Sequence, residues 1–142
     1  KEIAREIRRH KPDVLITMYP MRNLDGSYGF GHPDHIAAGE AAMAAVFPTA
    51  RDHLTFPELL ENGLEPHKVA EVFLWGSDAP DTFVDVTDTF DLKFRALYCH
   101  ASQVGPPTAN GERRMRARLS KAGEKIGSEL AEGFKHVQIM RG

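Results

Sequence analysis

The chain has 142 residues, 42% of them hydrophobic and 27% charged, with a net charge of −2. That length suits a single domain, residues 1–142, with one sizeable core, and the charge provides no basic surplus for nucleic acid. No apolar run reaches the roughly 18–20 residues of a membrane span; the one cysteine, Cys99, excludes an intrachain disulfide and fits a reducing, cytoplasmic location.

The chain opens with "KEIAREIRRH", in which Ile3, Ala4 and Ile7 have helical spacing and predict a helix over 1–10. Pro12 ends that pattern, and Val14-Leu15-Ile16 begin a strand over 13–19. A domain that starts on a helix and a βαβ unit without its first strand both account for this opening. A glycine-rich loop over 20–31 leads into a helix over 33–46, and Pro48 to His67 is expected to be irregular. Val69 to Gly76 predicts a buried strand and Thr82 to Thr87 a short alternating one.

"TFDLKFRALYCHAS" predicts a helix with Thr89 or Asp91 near its cap. From about Gly111 to Gly133 or beyond, Met115, Leu119, Ala122, Ile126, Leu130 and Phe134 recur every three or four positions and predict a long helix. Gly123, Gly127 and Gly133 weaken that pattern. Helices alternating with apolar strands give an α/β layered fold around a mostly parallel sheet. Trp75 is expected at a strand end, and His10, His53, His67 and His136 on the surface. Arg113, Arg114, Arg116, Arg118 and Lys121 form a solvated helix face or meet an anionic substrate group.

The loop "MRNLDGSYGFG" follows the carboxyl end of a strand and precedes a helix, where open α/β sheets bind ligands. Immediately after it stands His32-Pro33-Asp34-His35. Pro33 suits a first helical position, and Asp34 in the first turn is favoured by the helix dipole. One reading stops there, with a capped helix and two surface histidines. The other is chemical. Positions i and i+3 share a helix face, imidazole is a common zinc ligand, and a second, metal-free histidine can serve as acid or oxyanion donor. Asp34 can orient one of the rings. Asp25 in the preceding loop is a candidate contact to a sugar hydroxyl, or simply a turn residue; Arg22 and Asn23 are comparable.

"FGHPDHIAAGEA" resembles a signature of the LmbE-like / PIG-L family of zinc-dependent N-deacetylases, which act on N-acetylglucosaminyl-phosphatidylinositol and in mycothiol and bacillithiol biosynthesis. Lys93, Ala96, Leu97, His100, Ser102 and Gln103 resemble the family's K-x-x-A-L-x-x-H-x-S-Q, and "AEGFK" at Ala131 to Lys135 its closing segment. The resemblance implies a Rossmann-like α/β fold and a hydrolase that removes an N-acetyl or related acyl group from a small amino-sugar conjugate. It implies Zn2+, or another divalent metal, held by His35. His32 would act on the reacting carbonyl as oxyanion stabiliser or acid, with Asp34 supporting the histidines.

Two departures stand out. The family's earlier A-H-P-D-D-E motif, which supplies two further zinc ligands and the general base, has no counterpart; "HKPDV" at His10 to Val14 only approximates it. The expectation is a C-terminal part of the family domain, without its first strand and first site loop, completed by further residues, a homo-oligomer or another chain. Phe30 also stands where some family members have a tyrosine, so Tyr28 is the candidate substitute for that hydroxyl. His100 is a further candidate substrate contact, or else a packed histidine. The rival functions are a non-catalytic carbohydrate-binding or interaction module, and a site in which His32 and His35 both ligate a structural metal.

Overall fold

The computed structural model describes residues 1–22 and 31–139. Their elements, in order, are α1 (Glu2–His10), β1 (Val14–Met18), α2 (Pro33–Ala44), α3 (Pro57–Glu61), β2 (Glu71–Trp75), β3 (Thr82–Asp85), α4 (Phe90–Tyr98), α5 (Ala101–Val104), α6 (Ala109–Gly123) and β4 (Ala131–Gln138). They fall into two compact units, one of Lys1–Pro80 with the segment from Phe134 onward, the other of Asp81–Gly133. Among the described residues, no helix is long and apolar enough to cross a membrane.

In the first unit, Ala4 and Ile7 bury one face of α1 against Val46, Ala50, Val69, Val72 and Leu74. Lys11 closes the helix in the left-handed conformation, its N–H donating to the Ile7 carbonyl. That stop suits the residue before Pro12, which is disfavoured in the helical region. Strand β1 pairs parallel with β2, from Val14↔Glu71 to Met18↔Trp75. Strand β2 pairs antiparallel with β4, from Glu71↔Gln138 to Trp75↔Phe134. The α/β layering is therefore as expected, around a mixed sheet in the order β1-β2-β4.

Strand β1 is terminal in that order, and it exposes Ile16 to 64%. Unpaired edge groups beside exposed apolar side chains invite association. Residues 1–142 expressed alone are expected to self-associate, and Ile16→Lys to shift them toward monomer in light scattering. An unchanged mass distribution would remove this edge as the cause.

The stretch after α2 is organised by a buried cation. Arg8 is only 1% exposed. Its Nε donates to the Ala50 carbonyl at 3.1 Å, and its Nη2 to the carbonyls of Thr49 at 3.0 Å, Asp52 at 2.6 Å and Thr55 at 3.0 Å. These bonds supply carbonyls of an irregular segment that has no ladder of its own. Within the same segment, the Asp52 carboxylate accepts from the Thr55 hydroxyl and the Leu54 N–H. Both bonds hold its carboxyl below the usual carboxylate range. That support is present at neutral pH and is lost as acid titrates the group. Arg8→Met is expected to cost about 3 kcal/mol or more, because the half-buried carbonyls of Thr49, Asp52 and Thr55 lose their donor at once. The check is a denaturant melt; a midpoint within error of the parent would refute it.

Three expectations about this unit are corrected. The stretch from Pro48 to His67 contains a helix, α3, entered through Phe56 in a left-handed conformation with Pro57 at its first turn. His67 and His136 are half-buried rather than surface residues. His67 Nε2 lies 2.8 Å from the Pro12 carbonyl oxygen. His136 stacks on Phe73 with centroids 4.6 Å apart, and its Nε2 lies 2.9 Å from Glu71 Oε2. His10 and His53 are exposed, as expected.

The second unit packs Phe90, Leu119 and Leu130 against Val86, Phe94 and Met115. The long C-terminal helix is a further correction, since α6 stops at Gly123 and the chain returns as β4. A Cβ at position 123 would stand 2.4 Å from the Ser128 carbonyl oxygen, so only glycine admits this close return. Gly127 makes the turn at φ +72°. Ile126, Leu130 and Phe134 continue the spacing of α6 without belonging to one element: Ile126 lies in the turn, Leu130 just before β4 and Phe134 within it. The helix containing Phe90 also ends earlier than predicted, at Tyr98, with α5 as a separate turn.

Candidate active site

The H-P-D-H segment forms the start of α2. His32 is the N-cap residue in an extended conformation, with Pro33 in the first turn. Its Nδ1 accepts the Asp34 N–H at 3.2 Å, satisfying one of the helix's free donors. An accepting Nδ1 places the proton of the neutral ring on Nε2. The Asp34 carboxylate lies 3.7 Å from the same Nδ1, ready to receive it as a donor when the ring is charged. Asp34 thus faces His32 with a backbone donor for the neutral form and a carboxylate for the cation.

His35 lies one turn on. Its ring centroid is 5.4 Å from that of His32 and 6.2 Å from that of Trp75. Trp75 ends β2 and is 44% exposed. Helix α2 is seated close to the carboxyl end of β1, since a Cβ on Gly39 would come within 2.4 Å of the Met18 carbonyl oxygen. The two histidines therefore stand by the carboxyl ends of two parallel strands, where α/β sheets bind ligands. Among the described residues, no hydrogen bond occupies either ring nitrogen of His35 and no group of three His, Cys, Asp or Glu is placed to hold a metal.

Of the other candidates, Asp25, Tyr28, Phe30 and Asn23 lie outside the described residues. Arg22 is exposed. His100 belongs to the second unit, where it is exposed and lines a groove of about 660 Å³ with Lys93, Ala96, Leu97, Arg114, Met115 and Arg118. The sequence reading did not group Arg114 and Arg118 with Lys93 and His100. The usable signal was the spacing of 93, 96 and 97, which puts three residues on one face of α4, with His100 two residues beyond its end. Trp75 was likewise expected only as a strand-end residue, not as a neighbour of His35.

No protein-family profile matches the chain. It is 30% identical over 138 residues to a diacetylchitobiose deacetylase of Thermococcus kodakarensis, an alignment covering 96% of this chain and 49% of that protein. Its fold matches an N,N'-diacetylchitobiose deacetylase from Pyrococcus horikoshii, solved with an inhibitor, at a TM-score of 0.80 and 26% identity; 96% of this chain and 50% of that one are covered. These likenesses support an LmbE-like / PIG-L-like family for the chain. A further relative is the 1D-myo-inositol 2-acetamido-2-deoxy-α-D-glucopyranoside deacetylase of Rhodococcus erythropolis, 33% identical over 127 residues, covering 69% of this chain and 40% of that enzyme. The chain spans about half or less of the length of these curated relatives.

Proposed function

We propose that this chain is part of a zinc-dependent amide hydrolase that removes an N-acetyl or related acyl group from a small amino-sugar conjugate. The observation that carries this reading is the pair of imidazoles at the start of α2, differently engaged: His32 bound into the helix cap, His35 beside it with no hydrogen bond on its ring among the described residues. Relatives named as deacetylases of acetylated sugars support the substrate class.

The donor set fits a metal in part. His35 offers an imidazole as one ligand, whereas His32 could ligate through Nδ1 only by giving up its cap bond. A catalytic zinc takes three protein ligands and an open position. The remaining ligands and the general base are assigned to the part of the family domain that the A-H-P-D-D-E motif would occupy. When bound, the metal supplies an activated water and polarises the acyl oxygen.

The chain's own residues do the rest. The Nε2–H of neutral His32 donates to the acyl oxygen as negative charge develops there, or the cationic ring protonates the departing amine. The Asp34 carboxylate steadies the positive charge at Nδ1 in the second case. Trp75 gives His35 an aromatic wall that restricts its ring.

The test is amine release from diacetylchitobiose and from N-acetylglucosamine conjugates by the family-length protein, loaded with zinc and stripped with a chelator. Release that depends on zinc supports the reading. Saturable sugar binding without release in the loaded protein would favour a non-catalytic carbohydrate-binding module.

A further inference from the structure

The groove of the second unit has a composition of its own. One wall comes from Lys93, Ala96 and Leu97 of α4 and the following His100; the other comes from Arg114, Met115 and Arg118 of α6. Three permanent cations and an imidazole line it with three apolar side chains, and no carboxylate does. This occurs in a chain whose net charge is −2, so a general basic excess does not explain it. The volume of about 660 Å³ lies within the range of small-molecule sites.

The arginines of α6 divide by what they already do. Arg116 donates through Nε to Glu112 at 3.0 Å and lies 3.9 Å over the Phe90 ring. Arg113 donates to Asn110 at 3.0 Å. Lys93 is paired with Glu132. Arg114 and Arg118, one turn apart, have no carboxylate partner among the described residues, and like charges at that spacing repel each other. A bound anion relieves that repulsion.

We propose that this groove binds a soluble phosphate monoester with an apolar body. Two guanidinium forks match several phosphate oxygens, and a dianion balances more of the lining charge than a monocarboxylate can. Leu97 and Met115 receive the ester's apolar part. The proposal does not depend on the amide-hydrolase reading, because it uses neither His32 nor His35.

The experiment is calorimetric titration of the family-length protein with phenyl phosphate, inorganic phosphate and neutral benzyl alcohol. Phenyl phosphate is expected to bind saturably, more tightly than inorganic phosphate, and benzyl alcohol not at all. The double variant Arg114→Gln/Arg118→Gln should weaken phenyl phosphate by about tenfold or more, while Arg113→Gln leaves it unchanged. Met115→Ala should weaken phenyl phosphate but not inorganic phosphate. Melting curves confirm that each variant is folded. Equal binding by the double variant, an equal loss in Arg113→Gln, or no saturable binding by the parent would overturn the proposal. Vesicles of phosphatidylcholine with phosphatidic acid should not recruit the protein; recruitment without phenyl phosphate binding would overturn the assignment to a soluble ligand.

Discussion

His35→Ala in the family-length protein is expected to remove most of the bound zinc and to reduce amide hydrolysis to background. Losing one of three ligands leaves a catalytic zinc with an incomplete shell, and among the described residues no group of three His, Cys, Asp or Glu is placed to hold a metal instead. His32 is the closest alternative, with ring centroids 5.4 Å apart, but its Nδ1 already caps α2. The fold should survive, because His35 is exposed on the first turn and not part of the core. The measurement is zinc content by elemental analysis beside a melting curve. A folded variant that keeps one equivalent of zinc would sink the ligand assignment.

His32→Asn is expected to retain zinc and to slow turnover by about 10²-fold or more, the usual scale for losing an oxyanion donor or acid. Asparagine is the informative replacement because it is among the best N-cap residues. It keeps an acceptor for the Asp34 N–H, so the start of α2 is held. It lacks an imidazole that can carry a proton, so the chemistry is removed by itself. His32→Ala should slow turnover similarly and also cost about 1 kcal/mol of stability from the lost cap. If His32→Asn loses its zinc, His32 is a ligand, and the reading in which both histidines hold a structural metal gains. If turnover is unchanged, the cap is all that His32 does.

How far the sequence spoke depended on whether the signal was local. Pro33 and the residues around it dictate a helix start by themselves, so the place of His32, Asp34 and His35 was legible without tertiary information. The same holds for α1 and β1, where Pro12 separates a periodic from a continuous apolar run. The segment after Gly123 failed for the opposite reason. Its outcome depends on how closely the chain returns past Ser128, a tertiary approach that no periodicity encodes. Arg8 is similar: it looked like one of several helix cations, yet it organises a segment more than forty residues away. The groove between α4 and α6 needed two helices to meet, so His100 was visible as a candidate while Arg114 and Arg118 were submerged in a basic run.

The contact between His35 and Trp75 also makes the molecule its own indicator. Trp75 is the only tryptophan in the chain, so its emission comes from one indole, partly open to water and one ring away from the proposed ligand. A paramagnetic ion such as cobalt seated on His35 would quench that light by proximity. Alkylation of the imidazole would change its colour and yield, and displacement of α2 from the end of β1 would alter its access to dissolved quenchers. Occupancy of the site can therefore be followed in unlabelled protein, in real time, without a substrate.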